Sequence, residues 1–100
     1  MSTYADALVE VLFLDENIGF AAGKNPTGGV ILKTIDGGTT WTQLYNSNIA
    51  GDYVWKLQVL NTNQNIIFGS VEGTAPNLGK LTKSINGGLT WIEHNAPETY

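Results

Sequence analysis

Cysteine and arginine are both absent from the 100-residue sequence, and histidine occurs once. Without cysteine there is neither a disulfide framework nor a thiolate metal site, so the fold rests on packing alone. Without arginine the chain lacks the planar fork that grips a carboxylate in two parallel hydrogen bonds, and lysine, a point charge, does not replace it. Nine carboxylates against five lysines leave a net charge of -4, a balance that argues against a nucleic-acid role. No apolar run approaches the roughly 18 residues of a membrane helix, and Met1 to Asp6 carries neither a basic nor a sustained apolar leader. The expectation is a soluble chain that is not inserted in a membrane and carries no export signal; its compartment stays unknown. Hydrophobic residues make up 42%, enough for one globular domain with its own core.

What is present is a repeat. Lys33-Thr34-Ile35-Asp36-Gly37-Gly38-Thr39-Thr40-Trp41 recurs 50 residues later as Lys83-Ser84-Ile85-Asn86-Gly87-Gly88-Leu89-Thr90-Trp91. Upstream, residues 9–15 align with 55–61 and residues 18–23 with 66–71, at offsets of 46 and 48. The differences fall between apolar runs, where loops tolerate insertion. Each unit reads as four short strands, since runs rich in Val, Ile, Leu, Phe and Thr alternate with Gly, Asn, Asp and Pro clusters. The spacing predicts strands near 8–14, 18–23, 29–35 and 40–45, then near 53–60, 65–71, 79–85 and 90–94. The first strand of each unit is apolar on both faces, as expected of one packed between neighbours. Helical periodicity is missing throughout.

Four antiparallel strands in about 40 to 50 residues is the period of a propeller blade. The pattern Ser/Thr-x-Asp-x-Gly-x-x-Trp resembles the Asp-box, or BNR, repeat of sialidases, sortilin-type receptors and photosystem II assembly-factor propellers. The last group is the most similar, because its blades also pair a segment like Phe13 to Gly23 with a box written Thr-x-Asp-Gly-Gly-x-Thr-Trp. The resemblance covers residues 8–93. It implies an all-β fold of two four-stranded antiparallel blades, about 8–45 and 53–94, in a single unit spanning 1–100. Propellers have about four to eight blades, so two blades per chain imply closure by homo-oligomerisation. A six-bladed trimer is the favoured ring and an eight-bladed tetramer the next. Blade two of one chain would then pack head to tail on blade one of the next. The segment Met1 to Ala7 is a candidate for strand exchange with a neighbouring blade.

The box is first of all turn chemistry. Asp36 is expected to accept backbone N–H bonds from about two residues on, Gly37 and Gly38 to take positive φ, and Trp41 to open the outer strand and cover the turn. Asn86, Gly87, Gly88 and Trp91 repeat the arrangement, with Thr34 and Ser84 leading the two copies. A calcium role for Asp36 is disfavoured because its counterpart Asn86 is neutral. Sialidase activity is rejected: the resemblance would require an arginine triad, and there is no arginine. The lone His94 sits late in the last strand, and neither catalysis nor a metal site follows from it. Glu10 and Lys56 share one position of the two innermost strands, which reads as an ion-pair or channel lining. The Gly28-Gly29 and Gly37-Gly38 pairs belong to turns and lack phosphate-loop spacing. No cofactor is expected.

Trp55 has no tryptophan partner in the repeat, Val9 standing in its place. With Tyr53, Asn25, Asn77 and Tyr45 it is a candidate platform for stacking a sugar, and interface packing is the commoner role for such a residue. The leading functional expectation is therefore a non-catalytic, self-assembling propeller scaffold that binds a partner protein, as the family resemblance implies. The alternatives are a multivalent carbohydrate-binding propeller, or an engineered two-blade fragment, cut or designed from a longer propeller.

Overall fold

A computed structural model describes residues 7–49, 51–60, 65–73 and 79–95. Most of the Met1–Ala7 segment, and Asn77, therefore lie outside the described residues. The chain forms two antiparallel four-stranded sheets, with no helix among the described residues. The first contains β1 (Ala7–Phe13), β2 (Gly19–Asn25), β3 (Gly28–Thr34) and β4 (Thr42–Asn46). The second contains β5 (Tyr53–Val59), β6 (Ile67–Glu72), β7 (Lys80–Ser84) and β8 (Ile92–Asn95). Each is a simple meander in chain order. No helix long and apolar enough to cross a membrane occurs among these residues.

All eight expected strands are present, but β4 and β8 begin two residues after the positions read from sequence. The cause is the preceding turn, whose hydrogen bonds run as far as Thr40 and Thr90 and hold the backbone out of the ladder. The first strand of each unit also differs from expectation. Val9, Val11 and Phe13 on β1 are about half exposed, whereas β2 and β3 carry the fully buried Phe20, Ala21, Ala22, Val30, Ile31 and Leu32. Val11 and Phe13 lie on the face turned away from the second sheet, whereas β5, equally an edge strand, buries their counterparts Leu57 and Val59 against the first sheet, so the exposure follows from the uncovered face.

Both β1 and β5 contain an irregularity that periodicity does not reveal. The register with β2 slips between Leu8 and Glu10, and that of β5 with β6 slips between Val54 and Lys56. Val9 and Trp55 are thus matching bulge residues, each unopposed by a partner.

The two sheets share one core. Phe20, Ala22, Ile31 and Tyr45 of the first meet Val54, Leu57, Val59, Ile67 and Val71 of the second. Strand alternation places Ala21, Val30 and Leu32 on the opposite face of the first sheet, with Leu8 and Trp41 packed against them. The sense of stacking follows from the repeat. The second sheet turns toward the first the counterparts of the first sheet's far face: Val54 for Leu8, Leu57 for Val11, Val59 for Phe13. The sheets are therefore stacked head to tail, front of one against back of the next.

Candidate functional site

The two box turns are the most regular local structure in the molecule. In the first, the Thr34 hydroxyl accepts from the Asp36 and Gly38 amides at 3.3 and 3.0 Å and donates to Asp36 Oδ1 at 2.7 Å. Asp36 Oδ1 then takes the Thr40 amide at 2.9 Å, and Oδ2 the Thr40 hydroxyl at 2.6 Å. This corrects the expected pattern. The acceptor for the near amides is Thr34, whose buried hydroxyl points into the turn, while Asp36 reaches four residues on. These bonds hold the Asp36 carboxyl down from its ordinary 3.8 to about 2, the Thr40 hydroxyl contributing most.

The second turn repeats the first with Ser84, Asn86 and Thr90, at 2.8 Å from the Gly88 amide to Ser84 Oγ and 3.0 Å from the Thr90 amide to Asn86 Oδ1. Gly37 and Gly87 share φ of 74°, and Gly38 and Gly88 have φ of 97° and 95°. Each turn is also tied to the loop after the first strand of its sheet, through Gly37 N–H to Asn17 O and Gly87 N–H to Asn65 O, both 2.9 Å. Asp15 steadies the first of those loops by accepting the Ile18 amide and, to a lesser extent, the Asn17 amide, which lowers its pKa.

The turns differ in what the tryptophan touches. Trp41 donates to Gly38 O at 3.1 Å and meets Phe13 edge-on, whereas Trp91 donates at 3.0 Å to both Gly88 O and Leu44 O of the other sheet. Tyr45 lies over Trp91 with ring centroids 5.3 Å apart. The Tyr45 hydroxyl donates to Glu93, whose carboxylate also pairs with Lys80 at 3.3 Å. Lys80 in turn lies 3.9 Å from the buried Asp52. Burial first, and the neighbouring Glu93 second, raise the Tyr45 pKa. Between β1 and β5, Glu10 accepts the Leu57 amide at 2.5 Å and pairs with Lys56 at 3.5 Å. The two charges aligned by the repeat thus meet across the joint within one chain.

The expected sugar platform is not assembled as a whole. Tyr45 leaves it, because only 6% of the residue is exposed and its ring is committed to Trp91. Asn25 Oδ1 closes its own turn by accepting from the Thr27 amide, the Thr27 hydroxyl and the Gly28 amide. The adjoining Gly29 abuts the Tyr53 backbone, where an added Cβ would stand 3.1 Å away. Tyr53 and the bulge residue Trp55 remain partly exposed, and so does His94 on β8. The residues that reasoning from sequence missed are Asp52, Lys80 and Glu93. Lys80 and Glu93 stand where the first unit has Val30 and Gln43, and such departures at an otherwise repeating surface were the available signal; Asp52 aligns with Asp6 and gave none.

Comparison with known proteins found no matching family model, no similar curated protein and no similar solved structure.

Proposed function

We propose that the chain is a non-catalytic, self-assembling β-propeller scaffold, each copy supplying two Asp-box blades to a closed ring and the ring binding a partner protein. The observation that carries this reading is the head-to-tail stacking of the two sheets. A joint that sets front against back can be repeated indefinitely, and a heterologous contact of that kind closes a ring when its rotation allows. Each unit keeps one face of the required sort available in part: Val11 and Phe13 on the first sheet, Leu81 and Ile92 on the second. For a partner, the box rim presents Ile35, Ile85 and Leu89, all well exposed at the tips of the turns. The missing arginines and the single exposed histidine support a role without catalysis.

The test is the mass of the native protein in solution. Three times 10.8 kDa is the expected result and four times is the next ring size. A folded monomer at all accessible concentrations would remove the closure argument. The exposed Trp55 favours one second reading, a multivalent carbohydrate-binding ring. A glycan array gives its measure, and no signal across the array excludes it.

A further inference from the structure

The joint inside the chain is completed at the second box turn. Leu44, from the other sheet, lies over Gly88 so closely that an added Cβ would stand 2.6 Å from its side chain. Tyr45 sets its ring against Trp91. Gly88 is buried as a result. The first box turn has the same backbone and the same tryptophan, and no strand among the described residues covers it. Among the described residues only Trp41 and Phe13 come within 4 Å of a Cβ built on Gly38, at 3.7 and 3.9 Å. Phe13 is 43% exposed where its counterpart Val59, inside the joint, is 7% exposed.

We infer that this open socket at Gly38 and Trp41 receives the end of β8 from a second copy of the chain, with the His94 ring set against the Trp41 indole. Strand register identifies the plug. Tyr45 stands opposite Ile31 on β3, and His94 stands opposite Leu81 at the matching place on β7. His94 therefore projects from the far face of the second sheet as Tyr45 does from the inward face of the first, and a ring meets a tryptophan in both joints. The two joints are not equal. The slip in β4 that carries Leu44 over the turn has no equivalent in β8, whose pairing with β7 is continuous. Lys56 replaces Glu10 on β5, and an ammonium cannot accept the Val11 amide as Glu10 accepts that of Leu57. The joint between copies is accordingly the weaker one, and assembly depends on concentration.

This inference rests on the proposed self-assembly, and cysteine chemistry separates the two. Because the chain has no cysteine, Thr39→Cys marks the socket and Ile92→Cys marks the face that carries His94. A mixture of the two single variants treated with a short bismaleimide should yield a covalent dimer, and neither variant alone should. His94→Tyr, which places Tyr45's residue at the plug, should lower the concentration for half-assembly about threefold to tenfold, and His94→Ala should raise it. Oligomers of the native chain without a mixed cross-link, or with Thr39→Cys linking to itself, would overturn this joint and leave self-assembly standing. So would His94 variants that assemble like the native chain. A native chain that stays monomeric would overturn both.

Discussion

Asp36 and Asn86 occupy the same place in the two turns and reverse the role of one hydroxyl. Thr40 donates its hydroxyl proton to the carboxylate, whereas Thr90 accepts from the Asn86 amide nitrogen at 2.7 Å. A rotating hydroxyl serves either partner, so the turn tolerates the exchange. Asp36→Asn is therefore expected to keep the turn at neutral pH and to change only its response to acid. A carboxyl whose folded pKa is depressed stabilises the fold above its ordinary value, and that contribution fades as pH falls through the folded one. The urea midpoint of the native chain should thus fall between about pH 4 and pH 2, and that of Asp36→Asn should fall less over the same window. Thr34→Val tests the other half of the turn. It keeps the shape of a fully buried residue and leaves the Asp36 and Gly38 amides without their acceptor, for a loss of about 1 to 3 kcal/mol by denaturant titration. The turn itself was legible from the glycine pair and the acidic residue before it. The division of labour was not, because Thr-x-Asp offers two acceptors and only burial of the Thr34 hydroxyl decides which takes the near amides.

The strands were legible because apolar residues bounded by glycine and asparagine have few other ways to pair their backbones. Their starts were less so, since a turn that bonds as far as Thr40 looks, in sequence, like the beginning of a threonine- and tryptophan-rich strand. The bulges at Val9 and Trp55 left no trace in composition. They shift which residues face the joint, so they matter more than their single-residue size suggests. The glycines of the turns allow the joint to be probed one element at a time. Gly38→Ala and Gly88→Ala both force a side chain into the left-handed region, at about 1 to 2 kcal/mol each. Gly88→Ala alone must also displace Leu44, so it is expected to cost about 1 to 3 kcal/mol more. Equal losses in a denaturant titration would mean that Leu44 yields freely, and that the second turn is not the firm point of contact.

At the scale of the whole chain, the two sheets are held by a core of ordinary composition and by one polar cluster that the repeat does not supply. Lys80 stands between the buried Asp52 and Glu93, and Tyr45 completes the link to the first sheet. Removing one member of a buried pair strands the other, so Lys80→Met should cost on the order of 3 kcal/mol, and adding Asp52→Asn should recover most of it. A double-mutant cycle by thermal or urea unfolding measures that coupling. Such a cluster escapes a reading by repeat, because Lys80 and Glu93 sit where the two units disagree, at Val30 and Gln43 of the first. The bulges carry a consequence of another kind. An open four-stranded sheet offers its outermost strands as templates for further strands, and that is how soluble β proteins come to form fibrils. A residue without a partner bends the strand that holds it, and β1 and β5 each have one at the same place. Glu10 further occupies the free amide of Leu57 with a charged group. The first strands of both sheets, β1 and β5, are thereby poor seeds for indiscriminate growth.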